Sequence, residues 1–460
     1  MSGSPRESPT AYLQDRPVLS RPRAWVLIVL GALIAASAAW VLSGQYWTDR
    51  LEGVTIDWRF QARGPRSSNS KIVIVEIDAE SHRRLKHDGL AFNLREHLAP
   101  AINRLADAGA LVVGLDTWLE DRTSPEIDGP LAAAIESTNV VLGTVYTEQG
   151  VNRASEELRA AMPVEGLISV ELDAGDNVLR RTPPRLYLDL LSDDGLKVQA
   201  RLPHFPLAVA LFSILEKDET AVIEFNGPHA KIGNHTLRAG ELVDYVAVKR
   251  GMREGGFRWP AMSLADVVEG KFDAKAVDGA IVLIGESRMV QDSFLTPLSK
   301  EITPGVYYHS NVAAQILDDR HFDETWSQPA NASWVAAGCA LMAGVFAMMP
   351  LARRWRGRRW RVELQHAVLG IAVFPGGWTL ACFWAFDRGV VLPLAAPLAG
   401  MGVALAMGYA AQWIKVSIEA RRLGERARHI ERLFSLSVSS SVLEAIKSNR
   451  SAWPRPRFAM

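Results

Sequence analysis

The sequence predicts a membrane protein whose main soluble part is an α/β domain with a partly parallel sheet. Two observations predict it. Four long uncharged runs lie toward the ends of the chain, and between the first two a stretch of ordinary soluble composition, residues 43–330, alternates strand-like and helix-like segments. The 460 residues carry 51 Lys+Arg and 51 Asp+Glu. A formal net charge of zero argues against a nucleic-acid partner, because such proteins carry a basic excess. A hydrophobic content of 48% with 22% charged residues excludes a wholly disordered chain. Cys339 and Cys382 are the only cysteines, too few for a disulfide scaffold or a multi-cysteine zinc site.

The first run, Ala24–Leu42, reads AWVLIVLGALIAASAAWVL. A bilayer core takes ~20 apolar residues as helix, so residues 24–42 are expected to span it. A cleaved signal peptide is the rival reading, disfavoured by the run's length and its extended leading segment. Three further runs, Trp334–Leu351, Ala367–Phe386 and Val390–Ile414, complete an expected set of four transmembrane helices. Orientation follows the basic residues. Arg16, Arg21 and Arg23 precede the first run, Arg353, Arg354, Arg356, Arg358, Arg359 and Arg361 separate the second from the third, and Lys415, Arg421, Arg422, Arg426, Arg428 and Arg432 follow the fourth. With these in the cytoplasm, residues 1–23 and 415–460 lie inside and residues 43–330 outside a cell membrane. Trp25, Trp40, Trp334, Trp384 and Trp413 stand near run ends, as interfacial anchors do.

Inside the outer segment, Lys71–Asp78 (KIVIVEID), Leu111–Asp116 (LVVGLD) and Asn139–Val145 (NVVLGTV) read as strands. Leu94, Leu98, Ile102 and Leu105 put one apolar stripe on a helix over Leu94–Ala108, and Gly129–Ser137 reads as a shorter helix. Strand–helix–strand–helix–strand implies parallel pairing, and strands covered on both faces are this apolar. Farther on, Ile168–Leu172, Arg185–Leu190, Val222–Asn226, Ala230–Ile232 and Tyr245–Val248 are short strand candidates. Phe205–Glu216 and Val306–Leu317 read as helices, and Gly279–Gly285 (GAIVLIG) as a buried strand.

These segments carry a resemblance. IVIVEIDAES (Ile72–Ser81), AGALVVGLD (Ala108–Asp116), LAAAIESTNVVLGTV (Leu131–Val145), DNVLRRTP (Asp176–Pro183) and, most specifically, GAIVLIGESRMVQDSFLTPLSKEITPGVYYHSNVAAQIL (Gly279–Leu317) are similar to the type-two CHASE domain. That family is an extracytoplasmic sensory module of bacterial receptors, and three membrane helices after the domain look like its usual architecture. Asn177 stands where the family usually has Gly, a substitution that left-handed backbone geometry tolerates. Beyond the fourth run, Ile414, Ile418, Leu423, Ala427, Ile430 and Leu433 recur at helical spacing, which predicts a connector that pairs with its copy in a homodimer. Phe434–Ile446 resembles the entry motif that precedes a class III nucleotide cyclase domain, and the residues after it hold none of that domain's catalytic groups. The expectation is a multi-pass membrane sensory receptor that passes an extracytoplasmic signal to a cytoplasmic output module, with two alternatives: a receptor adenylate or guanylate cyclase that is truncated or split from a separate cyclase or kinase module, or a scaffold that binds envelope components constitutively.

No phosphate-binding loop, HExxH or GxSxG pattern occurs, so no catalytic residue, cofactor or metal is assigned. His82 and His87 are not spaced to share a helical face, and a solvated loop is their plainer reading. Asp78 and Asp116 close two predicted parallel strands at their carboxyl ends, where open α/β sheets bind ligands. They are candidates for an extracytoplasmic cation or amine, with helix capping as the plainer reading. Asp292, His309 and Asn311 flank the exit of the last strand and are candidates for the same crevice, against a structural hydrogen-bonding role. Arg180 and Arg181 read as an anion site or as solvated, and the Gly251–Gly256 loop with Arg250 and Arg253 as a phosphate site or a plain flexible loop.

Overall fold

The computed structural model describes residues 21–86, 92–147, 150–173, 175–191, 198–247, 257–288, 292–352, 369–370 and 372–437. The chain forms two compact units: one of helices (within residues 1–48, 328–381 and 393–460) and one α/β unit (residues 49–327 and 382–392).

The α/β unit is built on a mostly parallel sheet. Its strands, in chain order, are β1 (Ile72–Ile77), β2 (Val112–Trp118), β3 (Val140–Thr147), β4 (Gly150–Asn152), β5 (Val164–Leu167), β6 (Ala261–Ser263) and β7 (Ile281–Glu286). The spatial order is β6-β1-β7-β2-β3-β4, with β5 also on β3, and every pair is parallel except β3 with β4. The three strands expected to be parallel are so, but β7 lies between β1 and β2. Alternation along the strands explains the two cores. Val73, Val75 and Ile77 of β1, with Val113, Leu115, Val282 and Ile284, face the helices Leu94–Asp107 and Pro125–Glu136. Ile72, Ile74, Val112, Ile281 and Leu283 face the other way, against the helices Phe205–Leu215 and Gly305–Leu317. After β1 and β2 the chain passes to helices of the first face and after β7 to a helix of the second, so the connections part at the carboxyl ends of these three strands.

A third core lies beneath the antiparallel sheet Ile223–Asn226, His229–Ile232 and His235–Arg238. Phe60 from the helix Tyr46–Arg63, Phe322 and Phe386 meet there edge-on or stacked, with centroids 4.9–5.8 Å apart. The Arg63 guanidinium lies 4.7 Å from the Phe60 ring centroid and pairs with Asp244 at 2.7 Å. Arg180 is 2% exposed, not solvated as the plainer reading expects. It meets Asp57, Asp173 and Asp176 at 2.7–2.9 Å and offers no free face to an anion. Arg181 pairs with Glu324 at 2.6 Å. Asn177 has φ 57°, the left-handed backbone that its place in the turn requires.

Several expected short strands shift. Pairing runs over Val164–Leu167 rather than Ile168–Leu172, and over Tyr187–Leu191 with Val198–Pro203. No strand forms over 245–247, because Asn311 takes the Val246 and Ala247 N–H groups that a ladder would use. The Gly251–Gly256 loop and His87 lie outside the described residues.

In the helical unit, the helices Arg21–Ser43, Pro329–Met348 and Ala395–Ser437 pack through alanines: Ala35, Ala39, Ala336, Ala340, Ala343, Ala347 and Ala404. A side chain at Gly344, Gly400 or Gly408 would strike Ala32, Ala39 or Ala347, respectively. Small residues allow this close approach where lipid offers no hydrophobic drive for association. Among the described residues two stretches, Pro22–Ser43 and Pro329–Leu351, are long and apolar enough to cross a bilayer, not the four expected. Residues 367, 368 and 371 of the third run lie outside the described residues, and Pro375 sits in a π-turn ahead of an 11-residue helix, Gly377–Asp387. Its last residues belong to the α/β unit. The fourth helix begins at Ala395 rather than Val390, since Val390 bridges Asp323 and Pro393 intervenes.

Arg180→Leu leaves three carboxylates around a desolvated point. It should lower the unfolding free energy by about 3–5 kcal/mol, measured by denaturant titration of the full chain.

Candidate functional site

The parting of connections at the carboxyl ends of β1, β7 and β2 makes a crevice at the place where open α/β sheets take ligands. Asp116 ends the buried part of β2 and is 5% exposed. Gly285 of β7 is its register partner. A side chain at Gly285 would press on Val306 Cβ (2.7 Å) and Asp116 Cβ (3.3 Å), so the helix Gly305–Leu317 meets the strand end only because that Cβ is missing. At Gly305 an added Cβ would lie 2.7 Å from Asp292 Oδ1. Asp116 and Asp292 therefore stand on two sides of the helix's first turn.

His309, one turn farther along, is 1% exposed and places Nε2 3.6 Å from Asp116 Oδ1. Its ring meets Phe205, Tyr308 and His204, with centroids 5.3, 5.2 and 5.7 Å away. Four buried side chains here have polar atoms without a hydrogen-bond partner: Asp116 Oδ2, Thr144 Oγ1, His309 Nδ1 and both ring nitrogens of His204. Buried polar atoms are paired in the great majority of cases, and exceptions concentrate where function demands them. Burial pushes the Asp116 carboxyl well above the usual carboxylate range, with Asp292 adding to it. Burial, then the charge of Glu286, raises Asp292 to about 6. Burial pushes His309 down to about 3 and His204 well below the usual imidazole range.

The five residues expected at this crevice separate. Asp116, Asp292 and His309 come together. Asp78 caps the short helix Ala79–Arg84, accepting from the Ser81 backbone N–H and from the hydroxyls of Ser81 and Ser263. Burial raises its pKa, but these hydrogen bonds outweigh burial and hold the carboxyl below its ordinary value. Asn311 accepts from the N–H groups of Val246 (2.9 Å) and Ala247 (3.0 Å) and donates to the carbonyls of Ala247 and Tyr307. Sequence reasoning misses His204 and Thr144. No spacing betrays them, because β5 brings them near: Leu167 bridges His204 and pairs with Thr144. It also misses Glu286, at the end of β7 and 3.7 Å from His82, and Glu76, which accepts from the Tyr307 hydroxyl at 3.1 Å.

The crevice can exchange protons and hydrogen bonds. Among the described residues no group of three or more His, Cys, Asp and Glu is placed to hold a metal ion. A separate concavity of about 400 Å³ lies by Trp259, Phe272 and Lys271, residues that precede β6 and β7, at the opposite ends of those strands.

Asn311→Leu strands two buried N–H groups and should cost about 2–5 kcal/mol of stability in thermal or denaturant unfolding. Asp78→Ala, which loses a helix cap, should cost about 1–2 kcal/mol.

None of the curated proteins and none of the solved structures compared with the chain matches it. The sequence model of one family does, the CHASE2 domain, over residues 28–346. The match takes in the sheet, the carboxyl-end crevice and most of the apolar helices Pro22–Ser43 and Pro329–Leu351, and the chain belongs to the CHASE2 domain family, an extracytoplasmic sensory module.

Proposed function

We propose that the chain is a multi-pass receptor of a cell membrane, with the α/β unit outside, both ends inside, and the crevice of Asp116, Asp292 and His309 as its signal-reading site. The family match over residues 28–346 carries this reading, and it identifies a sensory domain, not a catalytic one. Basic residues flanking the apolar runs support the orientation. Two of the four expected spans pass as membrane helices by length and composition. The third and fourth rest on their uncharged sequence. A signal that stabilises one arrangement of the outer domain over another shifts a two-state equilibrium. Helices continuous with that domain carry the shift inward.

The tail of the helix Ala395–Ser437 supports pairing with a second copy. Ile414, Ile418, Leu423 and Ile430 are exposed on it, and Ala420, Leu423, Ala427 and Ile430 follow the 3-4 spacing of a coiled-coil seam. The output would be a cyclase or kinase module reached through this helix. Only the short likeness at Phe434–Ile446 favours a cyclase, and most of that stretch lies outside the described residues.

Reporters active only outside the cytoplasm should work when fused near Arg250 and fail when fused near Arg358 or Arg428. Activity at Arg358 would overturn the orientation. Leu423→Cys should give a disulfide-linked dimer in oxidised membranes, and Ala332→Cys, in the helix Pro329–Met348, serves as the unpaired control.

A further inference from the structure

We propose that the outer domain takes up a proton on the Asp116–Asp292 pair at the first turn of the helix Gly305–Leu317, so that the quantity it reads is the acidity of its surroundings. The proposal deepens the sensory reading above and rests on it.

The argument starts from geometry. Asp116 is 5% exposed with Oδ2 unpartnered, and Asp292 abuts Gly305 on the same helical turn. Among the described residues no Lys or Arg lies within ion-pair distance of either carboxylate. The groups facing them are known from each neighbouring element. From the helix come His309, 3.6 Å from Asp116, and Tyr307, whose hydroxyl is engaged by Glu76 of β1. His204 lies behind His309. Glu286 of β7 faces Asp292 and is itself met by His82 at 3.7 Å and Arg288 at 4.0 Å. Burial holds both histidines neutral, so neither supplies a counter-charge at neutral pH.

A carboxylate as buried as Asp116, with no cation beside it, resists ionisation, and the charge of the half-buried Asp292 adds to that resistance. Some cation must relieve them. The described residues offer no set of three metal ligands, and a proton is the cation that needs neither a coordination shell nor room. The uptake is a plain acid–base step: a carboxylate oxygen binds the proton and loses its charge. The consequence is local and mechanical. A carboxylate at a helix N-terminus is held by the unpaired N–H groups and the dipole there, and a neutral acid is held less. The same helix carries Asn311 and Gln315, which grip residues 241–247. Protonation at its first turn therefore reaches the second half of the domain.

The test uses the full chain in lipid nanodiscs. Asp292 has a folded-state pKa of about 6 against an ordinary 3.8. The stability linked to its protonation is thus complete below the ordinary value and is lost as pH rises through about 6. Asp292→Asn, a permanent mimic of the neutral acid, should melt several degrees above the native chain at about pH 7.5, with the gap narrowing at about pH 4.5. In infrared difference spectra the native chain should gain a carboxylic-acid C=O band with a midpoint near pH 6, and Asp292→Asn should lose it. Glu286→Gln should move that midpoint to lower pH, which keeps the test alive if Asp292→Asn fails to fold. Identical pH profiles for native and variant chains overturn the proposal. So does a rise in the native melting temperature on adding calcium or putrescine at fixed neutral pH that Asp292→Asn lacks, because a larger cation would then be the occupant. Failure of the sensory reading itself would show instead in the reporter fusions.

Discussion

A helix buried on every side must be apolar or must set its polar groups against partners, and Gly305–Leu317 takes the second course at every polar residue but His309. Every residue from Gly305 to Ile316 is buried. Asn311 occupies the backbone of residues 246 and 247. Gln315 accepts from the Asp244 N–H at 2.8 Å and donates to Glu241 Oε1 at 2.9 Å. Tyr308 reaches the Arg181 carbonyl at 3.3 Å. Val306 and Ala313 pack on the sheet, while Tyr308, Val312 and Ile316 enter the core under the antiparallel strands. One helix thus closes both cores, and its polar residues fix its register in a way that apolar packing alone would not. The glycines at 285 and 305 are conditions of the same arrangement, since each admits a contact that a Cβ would block.

Around this helix the charges are knotted rather than scattered. Arg59, Arg63 and Arg180 are each nearly or wholly buried. Arg59 binds Glu52 and donates to the Leu392 carbonyl at 2.9 Å, and Arg66 reaches Asp387 at 2.6 Å. Buried ion pairs add little net stability over well-packed apolar groups, but breaking one leaves an uncompensated charge. Their value here lies in selecting one arrangement. Phe386, Val391 and their neighbours in residues 382–392 are cemented into the α/β unit by these contacts and by the Asp323–Val390 bridge. In sequence that segment is the short connection between two apolar runs. Residues 382–392 thus belong to the fold of the α/β unit, as the helix Tyr46–Arg63 does from residue 49 onward.

What the sequence discloses follows from how local each signal is. The strands over 72–77, 112–118 and 281–286 are legible because strands covered on both faces are nearly all apolar. The positive φ of Asn177 is legible because few residues accept it. The insertion of β7 between β1 and β2 is not legible, since parallel neighbours some 170–210 residues apart leave no local trace. The roles of Asp78 and Asn311 were open between ligand and scaffold because an acid or amide at a strand exit serves both, and only the donors around it decide. Arg180 misleads for a related reason: an Arg pair reads as solvated until its three carboxylates arrive from two separate segments. His204 and Thr144 join the crevice through β5 alone.

The crevice departs from the rest of the domain in its energetics. Arg180 and Asn311 are matched on every side, whereas in the crevice Asp116, Thr144, His204 and His309 each keep an unmatched atom and none has a Lys or Arg partner among the described residues. Such a place lowers stability, and it persists only where the surrounding packing holds it. The sheet beneath it supplies that packing. Its titrating groups also oppose one another. The carboxyls, raised in the fold, lend stability at low pH and lose it as pH rises through the value near 6 of Asp292. His309, lowered to about 3, lends stability above the ordinary imidazole value of 6.5 and loses it as pH falls toward its folded value. The two trends overlap between the ordinary carboxylate and imidazole ranges and offset each other there. Acidification therefore redistributes protons within the crevice while changing the global stability less than either group alone would. A domain so arranged can answer acid by a local change at one helix end and still remain folded.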